Sequence, residues 1–314
     1  MREKLGLKEL QNEVPLSAIQ RMMQPVLLTK CTSVSGKLSL ASEMQQFDTI
    51  GIDAVATAIN DLAADNAKPL MFYDNITCAR PKVEKLKEIE AGIERGCILG
   101  SIRYTGSEIK ELPDALAYDQ YDLVGFAAGV FDKKKRVEAL PVKDGDVIIA
   151  LPSNGLHNNG YVAARKKLYL SKASMEIYYE TLGSTLGELL LEPTRLYRQA
   201  MEAAYDSGIP IKSCVQVAHG GLDRAVRLLL HNQAGAVIKQ KIDNIPPLYG
   251  MLRVDGNISE EQMRQTFNMG VGMLLVVAEE EADAMAEVLE NVGEEPEFIG
   301  LIERDSYTIR YIKG

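Results

Sequence analysis

Between Thr49 and Asp65 the apolar positions Ile52, Val55, Ala56, Ile59, Leu62 and Ala63 recur at the i, i+3, i+4 spacing that turns one face of a helix into a core. Asp53, Thr57 and Asp61 share another face of the same helix. Lys68-Pro69 then breaks the period, and Leu70 to Tyr73 reads as a short strand ending at Asp74. The same alternation returns further on. Pro81, in a first-turn position, opens a helix with Val83, Leu86, Ile89 and Ile93 on one face, and Gly96 stops it. Tyr121 to Phe131 is apolar and contains glycine, as in a buried strand where backbones approach closely. Towards the C-terminus, Gly272 to Ala278 and Glu297 to Ile302 read as strands around a helix whose face carries Ala282, Met285, Ala286 and Leu289 and which Gly293 ends. That is a strand, helix, strand unit, preceded at Ser259 to Gln262 by the spacing of a capping box. The chain is of the mixed α/β (α+β) class.

With 314 residues, it is long enough for about two domains. The best boundary follows Lys133-Lys134-Lys135-Arg136, a solvated hairpin tip, and runs through Val142 to Asp146 before Val147 to Leu151 opens a new apolar unit. Domains over 1–143 and 144–314 are expected. The net charge of -9 leaves no basic field for a nucleic-acid backbone or an anionic membrane surface. Apolar runs such as Met273 to Ala278 fall far short of the roughly 18 residues of a membrane span, and the charged start has no signal-peptide core. Cys31, Cys78, Cys97 and Cys214 are scattered, with no C-x-x-C pair, and read as reduced thiols. These features fit a cytoplasmic protein that takes neither nucleic acid nor membrane as a partner.

Several segments could carry chemistry. Ser35-Gly36-Lys37 resembles the end of a P-loop, but Cys31 and Leu38 stand where glycine and Ser/Thr are required, so the Walker pattern fails. Lys37 is left as either a phosphate contact or a solvated lysine. Asp61, Asp65 and Asp74 bracket a helix-to-strand turn, and carboxylates from separate elements suit a Mg²⁺ that bridges protein to nucleotide phosphate; the same pattern fits surface carboxylates. The sharpest feature is the loop Ser153-Asn154-Gly155-Leu156-His157-Asn158-Asn159-Gly160, between an apolar strand and the helical segment Tyr161 to Leu170. Its glycines allow tight turns, its Ser and Asn side chains offer hydrogen bonds, and the helix start behind it suits a phosphate or carboxylate. The bland alternative is a polar turn with a capping Asn. His157, one of three histidines, is its titratable member. His219-Gly220-Gly221 and Phe267 to Met273 read as a glycine turn and a packed strand entry.

Taken in order, GID and IND (Gly51 to Asp53, Ile59 to Asp61), SNGLHNNGY (Ser153 to Tyr161), LLEPTRLY (Leu190 to Tyr197) and TFNMGVGM (Thr266 to Met273) resemble the aminoimidazole ribonucleotide synthetase family, from about Pro25 to Ile302. The resemblance implies two α/β domains, with the N-terminal sheet pairing across a homodimer. It implies ATP-dependent closure of the imidazole ring of a small-molecule ribonucleotide, in purine biosynthesis, with Mg²⁺. On that basis Asp61 and Asp74 would hold the metal, with Lys37 beside the nucleotide; His157, Asp61 and Asp74 would be catalytic. Ser153, Asn154, Gly155, His157, Asn158, Asn159 and Gly160 would hold the substrate phosphate. Departures gather at the nucleotide end: Thr32 falls where the family has an acid, Ile102 where it has glutamate, and Gln216 where it has histidine. Two readings stand, a cyclo-ligase and a paralogue that binds without turning over ATP.

Overall fold

A computed structural model describes residues 2–7, 10, 13–14, 17, 19–133, 141–231, 233–240, 245–304 and 306–313. Apart from Lys133, the expected hairpin tip lies outside the described residues. By its contacts the chain divides into two units, Met1–Ala63 with Ala67–Lys135 and Leu170–Leu196, and Ala64–Asn66 with Arg136–Tyr169 and Tyr197–Gly314.

The first unit opens with β1 (Pro25–Ser33), α1 (Ser35–Met44), α2 (Ile50–Ala64), β2 (Lys68–Cys78), α3 (Val83–Leu99), β3 (Arg103–Glu111) and β4 (Tyr121–Asp132). Its sheet has the order β1-β4-β2-β3, with β4 antiparallel to both neighbours and β2 parallel to β3. The helix stripe from Ile52 to Leu62 is buried as its spacing requires. Three expectations are corrected. The strand expected to end at Asp74 continues to Cys78, because alternate residues Phe72, Asp74, Ile76 and Cys78 all stay buried. Pro81 precedes α3 rather than entering it, and Lys82 is the cap. Gly96 lies inside α3, which ends at Gly100; a Cβ at Gly96 would stand 2.9 Å from Val55 Cβ, so this glycine admits α2 rather than stopping a helix.

The chain then enters the second unit with β5 (Val147–Pro152) and α4 (Tyr161–Lys167). It returns to the first for α5 (Lys172–Met175), the two-stranded β6 (Tyr178–Tyr179) and β7 (Ser184–Thr185), and α6 (Leu186–Leu191). A boundary at 143/144 assigns this excursion to the C-terminal domain, whereas hydrogen bonds tie it to the first unit. Thr49 Oγ1 donates to the Leu191 carbonyl at 3.1 Å and Asn60 Nδ2 to the Arg195 carbonyl at 2.7 Å.

The second unit continues with α7 (Arg198–Asp206), β8 (Ser213–Gln216), α8 (Gly221–Leu229), β9 (Gly235–Gln240), α9 (Pro247–Val254), α10 (Glu260–Thr266), β10 (Val271–Val277), α11 (Ala282–Glu290), β11 (Glu297–Glu303) and β12 (Ile309–Lys313). Six strands form one sheet in the order β12-β9-β11-β5-β10-β8. Strands β10 and β11 are both antiparallel to β5 and flank it, so the expected strand, helix, strand unit is a split crossover around β5. The capping box at α10 is present, with the Ser259 side chain accepting from Gln262 N. Among the described residues no helix is long and apolar enough to cross a membrane.

Candidate functional site

In the first unit Lys37 of α1 and Asp53 and Asn60 of α2 turn inward. Lys37 lies in the first turns of α1, where the sequence suggested a loop, and its side chain is wholly buried. Its ammonium donates to Asp53 Oδ1 at 2.8 Å and to the Glu192 carbonyl. Asp53 also accepts from Thr194 through the backbone N–H at 2.8 Å and Oγ1 at 2.5 Å. Burial pulls the Lys37 ammonium below its ordinary pKa and pushes the Asp53 carboxyl above its own, while their mutual attraction opposes both shifts. The solvated-lysine expectation is therefore wrong. Lys37 is an internal cation, and the LLEPTRLY block supplies part of its shell.

Asp74, on β2, is fully buried and accepts from Tyr104 Oη at 2.6 Å and Ser107 Oγ at 2.8 Å. Burial pushes its carboxyl up to about 7, against the pull of the two hydroxyl bonds. Asp61 is half-buried near the end of α2. Among the described residues no three His, Cys, Asp or Glu side chains gather as a metal cage. Carboxylates are the donor type that Mg²⁺ uses, typically one or two of them with phosphate and water completing the shell, and both Asp74 oxygens here already accept from hydroxyls. Of the departures, Thr32 Oγ1 donates to the Ala54 carbonyl at 3.3 Å, while Ile102 and Gln216 are buried.

The second unit holds the Ser153 to Gly160 loop, between β5 and α4. Gly155, His157 and Gly160 have φ of 53°, 53° and 80°, so left-handed residues curl the chain repeatedly within this short span. His157 is almost wholly buried, and its Nε2 accepts from Asn154 N at 3.1 Å, closing the loop on itself. The Ser153 N–H donates to the Gly270 carbonyl at 2.8 Å and Ser153 Oγ to the Gly155 carbonyl at 3.0 Å. Asn158 and Asn159 are half-buried, and the Asn159 N–H donates to the Leu156 carbonyl at 3.2 Å.

Beneath the loop lie residues that composition and spacing did not single out. Tyr197 Oη donates to the Pro152 carbonyl at 2.5 Å, and its ring centroid is 6.1 Å from that of His157. Gly272 is obligatory under them, because a Cβ there would stand 1.8 Å from Tyr197 Oη and 2.8 Å from His157 Cε1. Asn268 Nδ2 donates to the Gly155 carbonyl at 3.0 Å, and Tyr249 Oη reaches the same carbonyl at 2.8 Å. Tyr197, Asn268 and Gly272 belong to the quoted LLEPTRLY and TFNMGVGM blocks, of which the second was read as packing and the first only as part of the family resemblance; Tyr249 carried no signal. A cleft of about 220 Å³ opens beside the loop, lined by Pro152, Ser153, Pro246, Met269 and Gly270, with Lys239 and Glu297 also contributing.

These two units have the fold of several solved proteins. E. coli HypE superposes with a TM-score of 0.71 at 16% identity, covering 98% of this chain and 88% of that one. T. maritima PurL, solved in complex with ATP, superposes with a TM-score of 0.61 at 15% identity, covering 92% of this chain and 42% of that one. The families described as AIR synthase related protein, N-terminal domain and C-terminal domain, match residues 21–131 and 143–313. A phosphoribosylformylglycinamidine cyclo-ligase from Lachnospira eligens is 38% identical over 305 residues, spanning 96% of this chain and 89% of the relative. The chain belongs to the AIR synthase family, and its curated relatives include phosphoribosylformylglycinamidine cyclo-ligases.

Proposed function

We propose that this protein is an ATP-dependent phosphoribosylformylglycinamidine cyclo-ligase. The observation that carries the reading is the 38% identity to a cyclo-ligase across 96% of the chain, with the glycine-rich loop and its supporting residues present. In the reaction so inferred, phosphorylation of the formyl-amide oxygen makes it a leaving group, the amidine nitrogen attacks the activated carbon, and phosphate departs as the ring closes. The Ser153 to Gly160 loop binds the ribonucleotide's phosphate through backbone N–H groups and the Asn154, Asn158 and Asn159 side chains, with Ser153 holding the loop's shape through the Gly155 and Gly270 carbonyls. His157 shapes the loop from within. Asp61 and Asp74 are the residues that would hold Mg²⁺, which when bound supplies charge neutralisation at the transferring phosphoryl group. Lys37 acts through Asp53 and Thr194, bracing the first unit's polar interior rather than touching the nucleotide. The chain works as a homodimer in the cytoplasm, a reducing setting that suits its four free thiols.

The test is formation of aminoimidazole ribonucleotide from formylglycinamidine ribonucleotide and Mg-ATP, beside a family enzyme as positive control. Turnover is expected, with Thr32 and Ile102 tolerated at the nucleotide end. A folded, homogeneous protein with no turnover would overturn the reading in favour of a binding protein.

A further inference from the structure

The Gly155–Leu156 peptide is a weak point in the loop, and the fold holds it from inside. Glycine populates positive and negative φ about equally well, so a peptide next to it can reverse its direction at small cost. In a trans peptide the carbonyl and the following N–H point opposite ways, so whichever direction the Gly155 carbonyl takes, Leu156 N–H takes the other. Here the carbonyl is gripped from the interior. Tyr249 and Asn268 are 1% and 0% exposed, and both reach it, Tyr249 Oη at 2.8 Å and Asn268 Nδ2 at 3.0 Å. Tyr249 Oη also lies against Asn268 Oδ1, so its single proton is shared between that oxygen and the Gly155 carbonyl, and Gly270 N leans on the same Oδ1 at 3.4 Å. Tyr249 comes from α9 and Asn268 from the turn before β10, so two elements remote from the loop in sequence fix one peptide plane.

We infer that Tyr249 and Asn268 are positioning residues that orient the Gly155–Leu156 peptide so that Leu156 N–H faces the oxyanion of the bound ribonucleotide. The inference rests on the phosphate-binding reading of the loop. With the clasp intact a donor dipole points at the ligand; with the peptide reversed, a carbonyl oxygen would face the anion and repel it. The clasp thus decides the sign of the local field, which is a stricter requirement than holding the loop rigid.

The test compares the full-length protein with Tyr249→Phe, which removes one hydroxyl and keeps the ring. Tyr311→Phe is the control: it removes another part-buried phenol bond, to Asp223, from β12 of the same unit. Removing one hydrogen bond to the loop should raise KM for formylglycinamidine ribonucleotide about three- to tenfold, with kcat and KM for ATP within twofold of wild type. Amide hydrogen exchange over 154–160 should quicken in Tyr249→Phe and not in Tyr311→Phe. Unchanged loop exchange together with unchanged KM would overturn the clasp, as would an equal KM rise in the Tyr311→Phe control. If the wild type shows no turnover, the cyclo-ligase reading fails by itself. The clasp is then judged with inorganic phosphate as probe: phosphate should slow exchange of the loop amides in wild type more than in Tyr249→Phe, and equal slowing would overturn it.

Discussion

Lys37 and Asp53 set an ammonium against a carboxylate at 2.8 Å in a part of the first unit that water does not reach, and each is tolerable there because the other is its partner. Removing one partner leaves the other charged and buried without compensation, which typically costs about 3–5 kcal/mol, whereas removing both charges together costs far less. Asp53→Asn should therefore lower the unfolding free energy by about that amount. The pair Lys37→Met with Asp53→Asn, which keeps an amide oxygen for the Thr194 donors, should recover most of the loss. Urea unfolding of the three proteins decides this; a double variant no more stable than Asp53→Asn would mean that the pair is not the dominant interaction. Sequence spacing put Asp53 on a polar helix face and left Lys37 with a solvated alternative. The solvated alternative fails because a one-dimensional pattern does not reveal that a distant segment, here Glu192 to Thr194, covers that face and supplies partners to both residues.

At the scale of elements, α2 and α3 meet through glycines. A Cβ on Gly51 would stand 2.2 Å from Ile93 N and 2.3 Å from Ile89 O, and one on Gly92 would stand 2.7 Å from Asp48 O. These are backbone atoms, so no rotamer change relieves the clash, and Gly51→Ala must push the helices apart. Overpacking of this kind costs about 1–3 kcal/mol or more. Gly250, exposed on α9 with nothing within 4 Å of its would-be Cβ, is the counter-case; Gly250→Ala should stabilise by about 0.5–1 kcal/mol through helix propensity alone. Opposite shifts in melting temperature would bear out both, and a neutral Gly51→Ala would contradict the packing argument. Several helices and strands were legible because burial imposes their period, and α2, β4, β10 and α11 lie within a residue or two of their expected bounds, whereas α1, α7 and α9 and strands β1, β3, β9 and β12 carried no reading. Gly96 was misjudged because a glycine that ends a helix and one that admits a neighbour look alike until the neighbour is in place. The loop was legible from its own glycines and amides, but its support was not. Tyr249 is one aromatic residue in an apolar helix, and only the fold brings its hydroxyl to Gly155.

For the molecule as a whole, the open question at the first unit's sheet is what covers its outer face. Leu27 and Cys31 alternate along β1; Cys31 pairs with Phe126 on β4, and Phe126 with Tyr73 on β2, so all four share one face. Leu27 is 60% exposed, and Tyr73 and Phe126 are each 36% exposed, a lining suited to burial against a second copy. Pairing of two copies through this face, as proposed, would make Cys31 a reporter. Thiols react as thiolates and only where reagent can reach them. Cys78 is buried, with its thiol pushed up to about 11, and burial pushes the Cys97 and Cys214 thiols up as well, so these three should stay inert until unfolding. Cys31 should then modify slowly at high protein concentration, where the dimer forms, and faster on dilution, with Phe126→Asp giving the fast rate at every concentration. Light scattering over the same dilution series reads the mass directly. A Cys31 rate that ignores concentration, in a protein that scatters as a monomer throughout, would rule out pairing through this sheet and leave its apolar face to some other contact.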